Sequence, residues 1–157
     1  MLGFLSMLGE ATPYDLKRMV SVSVGHFWSF PHSQLYAEPD RLEAAGYVTV
    51  RQEPGGRRRK LYTLTERGEA ALAAWRAEPS LEGYEIRDPA TLKLFFGAEP
   101  GPLGRAELEV IGAELRELER ISAAQAPGAP QGAQLALAYG IHMMRASLEF
   151  WSRVAEE

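Results

Sequence analysis

Apolar residues in the first half of the chain recur at helical spacing and then switch to strand spacing. Leu2, Leu5 and Leu8 stand three apart with Phe4 and Met7 between them, which predicts a helix with one apolar face, stopped by Gly9. Thr12 offers a capping hydroxyl and Pro13 a pre-set first position for a second helix through YDLKRMV. Its inward residues are Leu16, Met19 and Val20, and Lys17 and Arg18 face outward. The β-branched run SVSV weakens this helix, and Gly25 is its expected end. A third helix follows HFWSF, with Ser29 as cap, Pro31 in the first turn and Gly46 as stop. Leu35, Leu42 and Ala45 share its inner face, with His32, Ser33, Tyr36 and Asp40 on the other side. Pro39 lies inside it, where a proline removes one backbone hydrogen bond and usually bends the helix, so residues 33–36 are expected to be its more regular part.

After Gly46 the period becomes two. Val48 and Val50 share a face in YVTVRQ, as do Tyr62 and Leu64 in KLYTLT, so two strands are predicted with EPGGRRR as the loop between them. Thr65 then caps a fourth helix, ERGEAALAAWRAE, with Leu72 and Trp75 inward. The order helix, helix, helix, strand, loop, strand, helix is that of a winged helix-turn-helix. It gives a purpose to four adjacent cations, Arg57, Arg58, Arg59 and Lys60, which a solvated hairpin tip does not need. A wing lies beside the DNA backbone, and arginines there neutralise phosphates.

The second half carries a different pattern. Leu108, Ile111, Leu115 and Leu118 follow one another by three, four and three. Leu137, Ile141, Met144, Leu148 and Trp151 follow by four, three, four and three. This is the spacing of a seam between packed helices, and the turn-rich APGAPQG at 126–132 predicts an antiparallel hairpin. The seam serves a subunit interface or a core within one chain, and the interface is favoured because two-fold symmetry suits paired recognition helices. The expected fold is therefore mainly α, with an N-terminal winged helix-turn-helix bearing a two-stranded wing over 1–80 and a C-terminal helical dimerisation domain over 81–157.

Charge supports this division. The chain of 157 residues has a net charge of −4, but residues 1–80 hold ten Lys and Arg against nine Asp and Glu, and residues 81–157 hold seven against twelve. A positive surface can thus sit on an acidic protein. With no cysteine there is no disulfide framework, thiolate zinc site or cysteine nucleophile. The apolar start lacks a basic leader and is too short to span a bilayer, so a cytoplasmic protein without membrane attachment is expected. No Gly-rich phosphate loop, H-E-x-x-H or G-x-S-x-G occurs, and His26, His32 and His142 are isolated, so neither an enzyme, a metal site nor a cofactor is expected. Phe27, Trp28 and Phe30, with Phe95 and Phe96, either line an effector pocket or pack as core; core is the commoner fate of aromatics at element junctions.

The stretch FWSFPHSQLYAEPDRLEAAGYVTV, followed by GRRRKLYTLTERGEAAL, resembles the PadR family of bacterial transcriptional regulators. The marks are the aromatic-Trp-Ser opening, the S-Q-L-Y helix start, the R-L-E-x-x-G-Y helix end and the Y-x-L-T-x-x-G exit from the wing. The second half, from IRDPATLKLFFG to YGIHMMRASLEFWSRV, is similar more loosely to the helical domain of the subfamily related to virulence-gene activators. The resemblance implies a dimeric repressor, less often an activator, binding a palindromic operator and sometimes released by a small-molecule effector. It places the recognition helix at about 31–45, the wing tip at Gly55–Lys60 and the family tyrosine near DNA at Tyr36. Pro13 stands where the family has glycine, and Pro39 where it usually has leucine. The candidate DNA contacts are His32, Ser33, Gln34, Tyr36 and Lys17 with the four wing cations; Gln34, whose amide can pair bidentately with adenine, is the candidate base reader. The competing function is a winged-helix adaptor that docks proteins and binds no operator.

Overall fold

In a computed structural model, residues 1–157 are described apart from 29–31, 55–57, 81–82, 84–85 and 126–127, and apart from the side chains of His26 and His32. The chain divides into two units, Met1–Glu82 and Gly83–Glu157.

The first unit runs α1 (Leu2–Leu8), β1 (Glu10–Ala11), α2 (Pro13–Ser21), a 3-10 turn (Val24–His26), α3 (His32–Ala44), β2 (Val48–Gln52), β3 (Lys60–Leu64) and α4 (Glu66–Ala77). Gly9 closes α1 at φ 75°, its N–H bonding to Leu5 O at 2.8 Å. The chain then makes a strand too short to have a sequence pattern. β1 pairs antiparallel with β3, Ala11 against Tyr62, giving a sheet of order β1-β3-β2 rather than the ribbon of two strands alone. Thr12 caps α2 reciprocally: its hydroxyl accepts from Asp15 N at 3.2 Å, and the Asp15 carboxylate accepts from Thr12 N at 3.0 Å. The Thr12 hydroxyl also donates to Asp15 Oδ2 at 2.6 Å, and that bond first, then the one from Thr12 N, holds the Asp15 carboxyl below its usual range.

Two boundaries differ from expectation. α2 ends at Ser21, before Gly25, because the β-branched run yields to the 3-10 turn. Gly25 is needed there for close approach, since a Cβ would stand 2.7 Å from Val20 O. α3 continues through Pro39, whose ring is fully buried, so apolar burial offsets the missing hydrogen bond. Gly46, at φ 76°, ends that helix as expected, with Tyr47 N returning to Leu42 O at 2.9 Å.

Leu5, Ala11, Leu16, Val48 and Tyr62 form the core, with Leu2, Phe4, Leu42, Val50 and Leu64 packed around it. Thr65 caps α4 through Gly68 N at 3.1 Å. Leu72 is buried as expected, but it is the last buried residue of α4, and Trp75 one turn later is 71% exposed rather than inward. Ala45 is likewise exposed, at the frayed end of α3.

The second unit holds α5 (Pro89–Phe95), α6 (Pro100–Ala123) and α7 (Gln131–Ala155). Asp88 caps α5, accepting from Ala90 N at 2.9 Å and Thr91 N at 3.2 Å, with Pro89 in the first turn. α6 and α7 form the antiparallel hairpin. A Cβ on Gly104, near the start of α6, would meet Ala155 N at 2.6 Å, whereas Gly140, early in the second half of the pair, faces Leu118.

Candidate nucleic-acid interface

Leu35, Pro39 and Leu42 point α3 into the core, which fixes what its other sides present. At 100° per residue, Ser33, Ala37 and Arg41 form the crest opposite the core. Tyr36 and Asp40 occupy one flank, Gln34 and Glu38 the other. Ser33, Gln34 and Tyr36 are all exposed, Tyr36 at 52%. Gln34 also borders a shallow cavity of about 300 Å³ with Met1, Phe4, Leu35 and Glu38. Lys17 is half-buried on α2. Sequence reasoning passed over Arg41, whose side chain is 79% exposed and pairs with Glu38 at 3.2 Å. Its signal was the spacing of eight from Ser33 along one helical face.

The wing stands beside the flank carrying Tyr36 and Asp40. β2 and β3 pair from Val48↔Leu64 to Gln52↔Lys60, and a further backbone bond from Glu53 N to Arg59 O at 3.0 Å extends the hairpin. Side chains alternate, so Lys60 and Tyr62 face α3. Both donate to one oxygen: Lys60 Nζ to Asp40 Oδ1 at 2.8 Å and the Tyr62 hydroxyl to the same Oδ1 at 2.7 Å. This clamp ties wing to helix. The Lys60 hydrogen bond, then that of Tyr62, holds the Asp40 carboxyl below its ordinary range. Burial pushes the Tyr62 hydroxyl up to about 12, with the Asp40 carboxylate adding to it.

The four wing cations are therefore not alike. Arg57 lies outside the described residues. Arg58 sits in the left-handed region at φ 46°, its carbonyl accepting from Gln52 Nε2 at 3.3 Å, and among the described residues its guanidinium has no ion-pair partner. Arg59 forms a fork with Glu53, Nε to Oε2 at 2.9 Å and Nη2 to Oε1 at 3.1 Å. Lys60 is held by Asp40. Arg51, also passed over, reaches across the sheet to Glu10 at 2.8 Å.

In the second unit, Leu118 and Trp151 are buried within the α6–α7 pair, and Leu108, Ile111, Leu115, Leu137, Ile141, Met144 and Leu148 are half-buried. Leu118 and Trp151 are thus core within one chain, while the other seven seam residues keep part of their surface exposed. Another apolar surface is left open: Leu135, Tyr139 and Phe150 fall on one exposed face of α7, at 63%, 54% and 42%, and Val110 on α6 is 64% exposed.

The aromatics favoured as core are not buried. Phe27 and Trp28 are 61% and 60% exposed, and Phe95 and Phe96, edge-on at 5.2 Å, are 81% and 76% exposed. Element junctions here lie at the rim of each unit, where large rings find no second layer to pack against. Phe30 lies outside the described residues. A different hollow, of about 420 Å³, is lined on α6 and α7 by Gln134, Ile141, His142 and Arg145 among others. Among the described residues, no helix is long and apolar enough to cross a membrane.

Residues 1–74 match the model of the transcriptional regulator PadR-like family. The chain is 32% identical over 120 residues to the negative transcriptional regulator PadR of Bacillus subtilis, covering 71% of this chain and 65% of that protein, so the match spans just under two thirds of the relative. It is similar in structure to Bacillus subtilis PadR in complex with operator DNA, with 25% identity, a TM-score of 0.84 and coverage of 99% of this chain and 93% of that one. For the same protein in complex with p-coumaric acid, the identity is 25%, the TM-score 0.78 and the coverage 98% and 92%. The virulence activator AphA of Vibrio cholerae shares the fold, with a TM-score of 0.73, 24% identity and coverage of 99% and 93%.

Proposed function

The chain belongs to the PadR-like family of transcriptional regulators, and on that footing we propose that it is a dimeric repressor that reads a palindromic operator with α3 and the wing. The observation that carries this reading is the clamp at Asp40. Through the buried Tyr62 hydroxyl, with Lys60 beside it, Asp40 sets the exposed residues of α3 next to the basic hairpin, and the relative whose structure was solved on operator DNA matches this chain over nearly its whole length. In this reading, His32, Ser33 and Gln34, the first turn of α3, approach base edges, and Arg41 and the Tyr36 hydroxyl approach phosphate. Lys17 and the wing cations, Arg57 included, supply sequence-independent affinity.

Residues 1–80 serve as reader and 81–157 as the dimerisation domain of a cytoplasmic protein. The open face of Leu135, Tyr139 and Phe150 is the surface that a second copy covers, and the half-buried seam residues brace it from behind. The p-coumaric acid complex of the relative makes a small aromatic acid the first effector class to test, with Phe27, Trp28 and Phe30 in the first unit and Phe95 and Phe96 in the second as two separate sets of candidate contacts. The direct experiment is a binding titration on DNA from upstream of the gene against a random duplex. Preference for the upstream DNA supports the reading, and equal weak binding to both refutes it.

A further inference from the structure

We propose that Glu53 and Asp40 act as built-in competitors of DNA phosphate, holding Arg59 and Lys60 neutralised until the wing meets the duplex and so limiting how tightly the protein grips DNA of any sequence. The inference rests on the wing reading above and adds to it a set-point for affinity.

The geometry shows a substitute for phosphate already in place. A guanidinium fork recognises two oxygens of a phosphate or of a carboxylate alike, and Glu53 presents both of its oxygens to Arg59 at 2.9 and 3.1 Å. The hairpin fixes the partners opposite each other through the bond from Glu53 N to Arg59 O. Asp40 does the same for Lys60 from α3, while Tyr62, buried below, holds the carboxylate in place. All four side chains of the two pairs are partly exposed, between 29% and 62%, so each cation can exchange its carboxylate for an incoming phosphate.

That exchange has a distinctive cost in ions. A bare cation that meets a phosphate releases about 0.9 counterion from the DNA. A cation that first leaves a carboxylate strands a negative charge, which recruits a cation from solution and cancels most of that release. Arg58, bare among the described residues, should therefore contribute more to the salt dependence than Arg59 or Lys60, which should add little despite touching DNA. An acidic protein facing an excess of non-specific DNA gains from this arrangement, because the wing stays compatible with phosphate without being a strong trap for it.

The test uses the full chain and measures affinity for cognate DNA and for a random-sequence duplex between about 50 and 200 mM salt. Arg58→Ala should flatten the plot of log K against log salt by about 0.9 per wing. Glu53→Gln, which keeps size and an acceptor oxygen, should steepen the plot by up to about 0.9 per wing. It should also raise affinity about two- to five-fold per wing, as expected for freeing one exposed ion pair, and equally on both DNAs. Asp40→Asn, which retains an acceptor for Tyr62, should act in the same direction. If Arg58→Ala flattens the plot but Glu53→Gln and Asp40→Asn leave slope and affinity at wild-type values, or weaken binding, the carboxylates only position the wing and the inference is wrong. If Arg58→Ala changes nothing either, the wing is not at the DNA and the reading beneath it fails.

Discussion

If the proposed dimer forms through the open face of α7, replacing Tyr139 with glutamate should dissolve it while leaving each subunit folded. Tyr139 is 54% exposed on the open face of α7, between Leu135 and Phe150. A tyrosine covers roughly 200 Å² when fully buried, so about 110 Å² of it is free for a partner in each subunit. At about 25 cal/mol per Å², covering that area stabilises association by roughly 2.7 kcal/mol per subunit and about 5 kcal/mol for the symmetric pair. The entropic cost of association is common to both proteins and drops out of the difference. A loss of about 5 kcal/mol weakens the dimer by three to four decades, before any cost of burying the new carboxylate. Glutamate is a good helix former, so α7 should persist. Sedimentation equilibrium measures the dimer constant, and circular dichroism on the same sample checks the fold. A Tyr139→Glu protein that dimerises as tightly as wild type would refute the assignment of this face. Leu118→Ala provides the contrast: Leu118 is only 4% exposed inside the α6–α7 pair, so the change should cost about 2–5 kcal/mol of stability.

Three further predictions concern the reader. Gln34→Ala should cost about 1–3 kcal/mol on cognate DNA and little on random DNA in parallel titrations; equal losses on both would make Gln34 a positioning residue. One of the six tyrosines should ionise at about 12 in an absorbance titration and be missing in Tyr62→Phe. Because its folded pKa is raised, the stability Tyr62 contributes is complete below about 10 and is lost as pH rises through the folded value, so wild type should lose more stability than Tyr62→Phe across that window. Asp40 runs the opposite way: its depressed pKa means that the penalty of Asp40→Asn, seen in thermal melts at neutral pH, should shrink as pH falls below about 4.

The helices were legible where caps and glycine stops mark their ends, as at Thr12, Thr65 and Gly46, because these residues act through local hydrogen bonds and dihedral angles. The wing was legible from its period of two and its basic loop. β1 was not, since two residues carry no period and Glu10 and Ala11 become a strand only by pairing with Thr63 and Tyr62. Pro39 misled because its effect on an isolated helix is unfavourable, whereas here its ring fills the core. Trp75 and the Phe95–Phe96 pair misled because hydrophobic character was read as inward direction, although a short helix at the rim of a unit has too little body to cover every ring.

The candidate site divided along the same line. The sequence shows four adjacent cations but not that Arg59 and Lys60 are already partnered, because that depends on hairpin register and on the angle between β3 and α3. A trace of it was present, as Glu53 and Arg59 stand on either side of the loop at positions that a closing hairpin brings together. In the second unit, the heptad spacing located the contact between helices correctly. Spacing alone could not say that Leu118 and Trp151 are used within one chain while Tyr139 and Phe150 stay open.

The most direct measurement is a hydroxyl-radical footprint of the purified protein on the DNA upstream of its gene. Two protected half-sites related by two-fold symmetry and about 10 base pairs apart, centre to centre, are predicted, with protection lost as salt is raised. A folded dimer that leaves that DNA uniformly cleaved at low salt would contradict the claim that α3 and the wing form an operator-reading surface.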